Sequence, residues 1–442
     1  MSPESRLANS NLRHSLETLE ERGMMAIIPL NSLPGAPNTL YLDFDGHFES
    51  KWSANWDQNY ENIRAGAANL TEAEIRTVWE TVAEDFAPFN VNVTTVEPPA
   101  PANVLRVVIA GSITADYVVP PFVSGGTPDA ASGKNIVKLS GNTFLTKDFG
   151  TTSSGKSGVS KINSFTNNGP KVVFVFANVL RTWKSASPEG DTRTLAMMIA
   201  NTASHEAGHA FGLEHHTGFD ETGKASDYDV GDRLTTPIMG SNAAGDRTLW
   251  STYTDADSGE ICDAIQRLTN VLGARPDDYA NDLQFAQRLT FSSNGDFPGQ
   301  ATVSGVIEKT TDSDWFKFST SGAGFTFDLR TVDYANLDAE LELYRDVSTP
   351  QGPVASLLAS DDGTTVAGAP FTGLGAHISA NLPAGDYAVA VKSHGHYGDL
   401  GFYTLQVTQN TQRSALDSHV NDGSNELSES ATMVGELDLQ VA

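Results

Sequence analysis

The chain has 442 residues, of which 39% are hydrophobic, 19% charged and 9% aromatic, a composition typical of globular domains with a large core. Asp and Glu number 55 against 28 Lys and Arg, and the resulting net charge of −27 argues against non-specific binding to nucleic acid or to anionic membranes. The single cysteine, Cys262, excludes an intramolecular disulfide framework and a cysteine-based zinc ribbon. No run of residues approaches the roughly 18 to 20 apolar positions of a membrane span.

The N-terminal segment, residues 1–36, is polar and then punctuated by proline and glycine. Its apolar run at residues 24–30 is short and follows glutamates, so it is not a usable secretory signal. We expect a pre-domain arm, and a remnant of a pro-segment is one interpretation. The protein therefore stays inside the cell, has its signal outside this sequence, or leaves by another route, and the sequence does not decide among these.

Residues 37–273 predict a domain that mixes helices and strands. Short runs rich in β-branched and aromatic residues predict strands, at residues 39–44, 90–96, 104–111 and 171–180. Apolar residues at helical spacing predict helices, at residues 72–86, 192–213 and 259–272. Thr71 and Glu74 form a capping box at the start of the first helix. The stretch 112–170 is rich in Gly, Ser, Thr and Asn and predicts long loops with short edge strands.

The composition changes after Gly273, and residues 276–409 predict an all-β sandwich. Alternating strands separated by Gly, Asp and Pro turns recur at about the 8–12 residue spacing of such folds. They are expected at residues 301–308, 314–320, 325–331, 340–346, 386–393 and 401–408. The tail, residues 410–442, is acidic and Ser-rich and predicts disorder.

Residues 205–215 read HEAGHAFGLEH, the motif with the clearest chemistry in the chain. His205 and His209 are four residues apart, so on a helix both imidazoles project from one face and suit two positions of a tetrahedral Zn²⁺ site. Gly212 allows the helix to end and the chain to turn, and His215 then returns as a third ligand. Three protein ligands leave the fourth position for water, as in catalytic zinc sites. Glu206 is placed to take a proton from that water and pass it to a leaving amine.

This motif, together with a second one, resembles the metzincin clan of zinc endopeptidases. The extended pattern H-E-x-x-H-x-x-G-x-x-H is matched at every fixed position, and TTPIMGS (235–241) resembles the clan's methionine turn, with Met239 as its methionine. An ordinary core methionine is the alternative for Met239. Within residues 38–272, the segments YLDFDGH (41–47) and EDFAPFNVNV (84–93) look like those of secreted bacterial metzincins. The resemblance implies a twisted mixed sheet with an active-site helix, one catalytic zinc ion, protein or peptide substrates and a secreted enzyme.

The sequence departs from the subfamily patterns after the third histidine. His216 follows the third ligand where Ser, Asp, Glu or Pro is usual, and it could bind zinc, line the cleft or be solvated. Ser241 stands two residues after the turn methionine, where some subfamilies carry a tyrosine ligand; Tyr228 and Tyr253 are only remote substitutes. No cysteine precedes the motif, so a thiol that blocks the zinc cannot operate within this chain.

Residues 276–409 resemble the bacterial pre-peptidase C-terminal domain, a β-sandwich appended to secreted proteases. DDYANDLQFAQRL (277–289), GVIEKTTDSDWFKF (305–318) and LPAGDYAVAV (382–391) carry this resemblance. Such domains are trimmed off or help to attach the enzyme to its substrate, which implies an extracellular polymer as a possible partner. Four aspartates in turns could bind a structural Ca²⁺ ion, and solvated turn aspartates are the alternative. They are Asp312, Asp314, Asp361 and Asp362.

Three further groups carry weaker signals. Asp43 and Asp45 alternate on the first predicted strand, where a polar strand end and a calcium ligand pair are both possible. His394 and His396 alternate on a predicted strand and are interpreted as surface residues. Cys262 is predicted to be a small buried hydrophobic residue on the last helix of the first domain.

The α+β fold and the motif predict a monomeric, secreted zinc endopeptidase with Glu206 as general base and acid. The stretch 150–170 is expected to supply the edge strand that pairs with the substrate backbone. An inactive adhesion or matrix-binding protein that acts through the β-sandwich is the main alternative, although the intact Glu206 argues against it. A zinc hydrolase of non-peptide amides and a surface helix that merely contains histidines are further alternatives.

Overall fold

The computed structural model describes most of the chain between Ile27 and Asn410, and a short C-terminal strand. The described residues are 27–50, 52, 59–99, 103–118, 135–139, 142–149, 156–167, 170–187, 193–219, 225–226, 228–231, 235–241, 247–254, 260–292, 299–349, 352–363, 374–410 and 439–441. Apolar side chains up to Leu272 form two clusters on the two faces of a mixed sheet, and those from Leu289 onward form the core of a second, all-β part. In the described part of the chain, no helix is long and apolar enough to cross a membrane.

Nine strands form the mixed sheet of the first part. They are Asn38–Asp43 (β1), Gly46–Glu49 (β2), Asn59–Ala67 (β3), Val91–Thr94 (β4), Val104–Val118 (β5), Asn135–Leu139 (β6), Asn142–Phe149 (β7), Gly158–Val159 (β8) and Val172–Phe176 (β9). Strand β5 is central, because β1 and β9 pair with it in parallel and β3 and β7 pair with it antiparallel. Along β9, Val173 and Val175 contact one apolar cluster while Phe174 and Phe176 contact the other, so both faces of the sheet are covered.

Four helices accompany this sheet in the described residues. They are Glu72–Asp85 (α1), Ala177–Ser185 (α2), Leu195–Ala210 (α3) and Ala264–Leu272 (α4). The capping box predicted for Thr71 and Glu74 is confirmed at the start of α1. Helices α1 and α3 pack against each other and share the larger apolar cluster, which makes α3 almost fully buried.

Short strand pairs connect α3 to α4. Their strands are Gly218–Phe219 (β10), Ala225–Ser226 (β11), Thr235–Pro237 (β12), Arg247–Leu249 (β13), Thr252–Thr254 (β14) and Ile261–Asp263 (β15). They pair in order, β10 with β11, β12 with β13 and β14 with β15. The β12–β13 pair is parallel and holds residues 235–237 beside residues 247–249.

The second part is an eight-stranded sheet that encloses one apolar core. Its strands are Gln287–Arg288 (β16), Gln300–Ile307 (β17), Ser313–Thr331 (β18), Ala339–Thr349 (β19), Gly352–Asp361 (β20), Ala376–Ser393 (β21), Gly401–Asn410 (β22) and Leu439–Val441 (β23). Strand β18 merges two strands that the sequence predicts separately, and it pairs with β21 along almost its whole length. Because the long strands β18 and β21 are hydrogen-bonded to each other, the strands that the sequence predicts as a sandwich belong to one continuous sheet.

Several predicted elements are corrected by the structure. The helix predicted at 259–272 begins only at Ala264, because Ile261–Asp263 pair with β14; Ile261 is 79% exposed and Cys262 is half-buried on a strand, not buried on a helix. The strand predicted at 171–180 ends at Phe176, where α2 begins. Strand β5 continues to Val118 instead of ending at Gly111, so the first residues of 112–170 belong to the sheet.

The two termini also differ from the prediction. Residues 1–26 and 411–438 lie outside the described residues. The N–H of Ser32 donates to Val93 and that of Thr95 donates to Leu30, so the end of the predicted arm lies along β4 as part of the fold. Leu439–Val441 pairs with β21, which places the last residues of the predicted tail on the second sheet.

Candidate metal centre

Helix α3 carries the first two histidines of the motif and runs over Leu195–Ala210, so it is shorter at both ends than the predicted 192–213. Gly212 adopts φ +103°, a left-handed conformation that favours glycine, and a Cβ atom at this position would lie 2.4 Å from Asn163 Oδ1. The N–H of Asn163 donates to the carbonyl of His209 at 2.9 Å, which satisfies one of the helix's last carbonyls. The chain therefore turns sharply after the helix and brings His215 back toward it.

The side chains of His205, His209 and His215 converge. One ring nitrogen of each histidine lies within 4.8 Å of the corresponding atoms of the other two. The Nδ1 atom of His205 is 2.7 Å from the carbonyl oxygen of Ile238, and that of His209 is 2.8 Å from the carbonyl oxygen of Leu213. Because Nδ1 carries the proton in such bonds, Nε2 of both rings is left with a lone pair for a metal ion.

The protonation of these rings suits metal binding. Burial, together with the neighbouring His215, lowers the pKa of His205 to about 4, although the hydrogen bond to Ile238 acts in the opposite direction. Burial also holds the pKa of His209 well below its usual value, with smaller contributions from the other two histidines. Metal ions bind the neutral imidazole, so His205 and His209 have the charge state that Zn²⁺ requires at neutral pH.

Glu206 lines the same cleft as the three histidines and is only 6% exposed. Burial raises the pKa of its carboxyl group to about 8, and the positive charge of Lys156 opposes this increase. Strand β8 passes directly against the carboxylate, since a Cβ atom at Gly158 would lie 2.6 Å from Glu206 Oε1. Sequence reasoning did not single out Gly158; a glycine within the predicted edge strand was the one available signal.

Met239 lies in a turn below α3, at the position that the motif predicts. It is 2% exposed, and its Sδ atom is 2.5 Å from the place that a Cβ atom at Gly208 would occupy. The N–H of His216 donates to the Met239 carbonyl at 2.8 Å. The residue after the third histidine is therefore fixed to the turn that packs beneath the first two.

The cleft has a volume of about 550 Å³, within the usual range of ligand sites. The cleft is lined by residues from several parts of the chain: 156–160 and 162, Trp183 on α2, the C-terminal half of α3, residues 214–215, Tyr228, residues 237, 238, 240 and 241, and Thr248. Strand β8 belongs to the predicted stretch 150–170 and pairs antiparallel with β9. In the described part of that stretch, the expected edge strand is two residues long.

His216 has none of the three roles predicted for it. Its Nδ1 atom is 2.9 Å from Ser251 Oγ, its Nε2 atom is 3.5 Å from Asp229 Oδ2, and its ring lies 5.2 Å from that of Tyr253. The side chain is 12% exposed and is absent from the histidine cluster and from the cleft lining. His216 holds the loop after the third histidine against β14 and its neighbours.

The two tyrosines considered as substitutes lie at different distances from the histidines. The ring centroid of Tyr228 is 4.3 Å from that of His215, and Tyr228 lines the cleft together with Ser241. The hydroxyl of Tyr253 accepts a hydrogen bond from the N–H of Glu214 at 3.1 Å. Tyr228 is therefore the nearer of the two to the candidate metal position.

A second group of potential ligands lies at the start of the β-rich part and contains only carboxylates. Its members form two overlapping clusters in which the carboxylate oxygens lie close enough together to hold a metal ion. The clusters are Asp277, Asp278 and Asp314, and Asp277, Glu308 and Asp312. One carboxylate oxygen each of Glu308, Asp312 and Asp314 is buried with no hydrogen-bond partner. All-oxygen donor sets of this kind suit Ca²⁺ rather than zinc.

Electrostatics support the same interpretation of the acidic group. Burial is the main cause that raises the pKa of Glu308 to about 9 and that of Asp314 to about 8; the surrounding carboxylates contribute to both increases, and the hydrogen bond from Tyr403 opposes that of Asp314. Burial also raises the pKa of Asp278 to about 6. Buried carboxylates that repel one another bind protons when no cation compensates their charge. The residues therefore fit a divalent cation.

The structure brings only two of the four predicted calcium residues together. Asp312 and Asp314 belong to the acidic group, which also includes residues that the sequence analysis missed. Asp361 is buried at the end of β20, where it accepts a hydrogen bond from the N–H of His377 at 2.6 Å. Asp362 is 3.7 Å from His394 Nε2 at the surface. The last two aspartates are corrected: they lie outside both clusters.

The remaining candidates have structural contacts. Asp43 is fully buried and accepts a bond from Arg106 Nη1 at 2.5 Å, which agrees with the polar strand end and not with a calcium site. The N–H of Asp45, beyond the end of β1, donates to Asp43. His394 and His396 follow β21 instead of lying on it, and both are exposed and paired with aspartates.

Nineteen solved protein chains are similar to this chain in structure. No family model matches the chain, and neither does any curated protein. The pre-peptidase C-terminal domain of a collagenase from Bacillus anthracis is similar, with 18% identity, a TM-score of 0.19, and coverage of 30% of this chain and 97% of that chain. The Yersinia pseudotuberculosis-derived mitogen has 16% identity, a TM-score of 0.19, and coverage of 27% and 93%.

Proposed function

We propose that the chain is a secreted zinc endopeptidase of the metzincin type, with a β-domain of the pre-peptidase C-terminal type. One observation carries the proposal: three histidine rings converge in a cleft that also holds a buried glutamate and the short strand β8. His205, His209 and His215 would hold the zinc ion. When bound, zinc supplies a Lewis acid that acidifies water and polarises the scissile carbonyl group.

Glu206 would serve as the proton carrier of the reaction. Its carboxyl group is buried, and burial raises its pKa to about 8. A nearby positive charge favours the carboxylate form, which can then accept a proton from water at an Oε atom and deliver it to the leaving amine. An ion held by the three histidines would therefore also favour the carboxylate form of Glu206, which follows His205 on α3.

Strand β8 would align the substrate. It lines the cleft and, within the described residues, pairs only with β9, so a peptide in an extended conformation could pair with its other edge. Such pairing recognises the backbone and not the side chains, which favours cleavage of extended or unfolded protein segments. The polar walls contributed by Asn201, Thr202 and Thr248 would then select among side chains.

The acidic group would bind Ca²⁺ as a structural ion of the β-domain. The oxygen ligands come from Asp277 and Asp278 in the linker before β16, from Glu308 and Asp312 between β17 and β18, and from Asp314 at the start of β18. A cation there would link the start of the β-domain to its sheet and would remove the repulsion among buried carboxylates.

The proposed function is tested by metal analysis combined with hydrolysis of a quenched peptide library. The wild type and Glu206→Gln are compared, since Gln keeps the size of the side chain but cannot act as a base. We expect one zinc ion in both proteins and cleavage only by the wild type, with kcat lowered by at least about 10³-fold in the variant. Normal turnover by Glu206→Gln would refute the general-base role, and zinc without cleavage in the wild type would favour a binding protein.

A further inference from the structure

A buried polar contact joins the histidine helix to the β-rich part. Asp85, at the end of α1, accepts a hydrogen bond from Ser204 Oγ at 2.5 Å through Oδ2 and one from Asn336 Nδ2 at 2.8 Å through Oδ1. Ser204 precedes His205 on α3, and Asn336 lies between β18 and β19. All three side chains are buried. A single carboxylate therefore connects the β-rich part to the turn of α3 that carries the first metal ligand.

The neighbouring carboxylate strengthens the same contact. Glu84 Oε1 accepts from the N–H groups of Asn336 and Leu337, at 3.0 and 3.4 Å, and Oε2 accepts from the N–H of Phe402 at 2.9 Å. Each N–H belongs to the β-rich part, and Glu84 is 1% exposed. If the β-rich part were absent, both oxygens would lose these donors. The end of α1 is thus built to receive the loops of that part.

A third link reaches the wall of the cleft. Arg247, on β13, donates through Nη2 to Asp399 Oδ1 at 2.8 Å and to the carbonyl oxygen of Asn336. The next residue on β13, Thr248, lines the cleft. Trp250 donates through Nε1 to the carbonyl oxygen of Asp85 at 2.5 Å. The β-rich part therefore bonds directly to β13, which borders the cleft, and is connected to α3 through Asp85.

We propose that the β-domain is an integral part of the catalytic unit and that Asn336 is a positioning residue for the zinc site. Asn336 fixes the carboxylate of Asp85, Asp85 fixes the hydroxyl of Ser204, and this bond sets the orientation of the α3 turn that carries His205 and Glu206. The domain resembles modules that are trimmed off or attach an enzyme to its substrate, and this contact assigns it a different role. The catalytic part of the inference rests on the proposed function, whereas the positioning of α3 does not.

The test uses the full chain with Asn336→Ala. This variant keeps the backbone groups that bond Glu84 and Arg247, and it removes only the amide that bonds Asp85. We expect hydrogen exchange of the α3 amides around Ser204 to become at least about tenfold faster, while exchange in β1 and β9 is unchanged. Zinc affinity, measured by competition with a chromophoric chelator, should fall roughly 10-fold, and kcat should fall similarly with little change in KM. Unchanged exchange and zinc affinity would overturn the proposal.

Two further sets of variants separate positioning from a general loss of stability. Asn410→Ala removes an exposed amide bond to Thr326 in the same domain, and it should leave all three measurements unchanged. In the Ser204→Ala background, adding Asn336→Ala should cause no further loss of zinc affinity, because the connection is already broken. Fully additive losses would show that Asn336 does not act through Ser204.

If Asn336→Ala does not fold, exchanging the side chains of Asp85 and Asn336 still tests the proposal. Combining Asp85→Asn with Asn336→Asp lets the new amide donate to the new carboxylate and still accept from Ser204. The double variant should recover zinc affinity that Asp85→Asn alone loses, and lack of recovery would contradict the proposal. If the wild type binds zinc but cleaves no peptide, the proposed function fails, while hydrogen exchange and zinc affinity still test the positioning role.

Discussion

Replacing Gly158 by alanine tests how closely β8 fits the proposed general base. The new Cβ atom would lie 2.6 Å from Glu206 Oε1, 2.7 Å from its Cγ and 2.9 Å from its Cδ, whereas ordinary contacts begin at 3.4 Å. Gly158 has no left-handed backbone conformation, so alanine is not strained there. The methyl group and the carboxylate compete for one position, and the end of the flexible glutamate side chain is the part that can move.

The size of the effect follows from this overlap. The carboxylate must move by about 0.8 Å to restore an ordinary contact between Cβ and Oε1. A displacement of about 1 Å in a reacting group can cost about 100-fold in rate, which corresponds to about 2.7 kcal/mol of transition-state stabilisation. The free energy of unfolding should change by less than about 1 kcal/mol, since alanine also restricts the unfolded chain and Glu206 moves at little cost.

Peptide hydrolysis, zinc content and thermal unfolding distinguish this effect from others. For Gly158→Ala we expect kcat to fall about 100-fold while one zinc ion is retained and Tm changes by only a few degrees. Gly385→Ala is a matched control on a strand, because the nearest atom to its new Cβ is 3.6 Å away; it should be fully active. Wild-type kcat in Gly158→Ala would refute the close approach of β8 to Glu206, and loss of zinc would show that the strand supports the histidines instead.

Two other predictions concern the acidic group and the contact between the two parts. Calcium at 100 times its Kd should stabilise the wild type by about 2.7 kcal/mol, and thermal unfolding should show this gain lost in Asp314→Asn but retained in the exposed control Asp362→Asn. Burial raises the pKa of both Glu84 and Asp85 to about 7, from 4.5 and 3.8, so the folded state binds more protons between about pH 4 and pH 7. The extra protons therefore stabilise the folded state fully below about pH 4, and this contribution to the free energy of unfolding is lost as the pH rises to about 7. Denaturant unfolding should show that the free energy of unfolding falls less over this pH range in Asp85→Asn than in the wild type. Equal pH profiles for the two proteins would contradict the raised pKa of Asp85.

The candidate metal site could be predicted because its signals are local. Spacings of four and six residues determine how His205, His209 and His215 approach one another once α3 ends near Gly212, and the ending depends on a glycine within the same motif. Met239 was found in the same way, from a short pattern. Gly158 could not be found in this manner, because its role depends on the distance from β8 to a side chain 48 residues later in the sequence.

The acidic group shows the opposite case. The structure brings Asp312 and Asp314 together, whereas Asp361 and Asp362, which were grouped with them because all four are predicted to lie in turns, lie elsewhere. The actual neighbours are Asp277 and Asp278 in the linker before β16 and Glu308 just after β17, and strand pairing decides which turns meet. Residue type indicates which groups can bind calcium, whereas the register of the sheet decides which of them do so together.

Dividing the chain into two domains near Gly273 leaves out the contact that Glu84 and Asp85 make with the β-domain. In sequence, two carboxylates at the end of an amphipathic helix suggest a solvated helix end. In the structure they are buried because their hydrogen-bond donors come from Asn336, Leu337 and Phe402, more than 250 residues away. A cut at residue 276 would expose these carboxylates and remove their hydrogen-bond donors. Each part would keep its apolar core, but the bond from Asn336 that fixes Asp85 against Ser204 on α3 would be lost. The two parts have separate cores and are joined by several polar contacts, and Asp85, which takes part in one of them, also bonds Ser204 on the histidine helix.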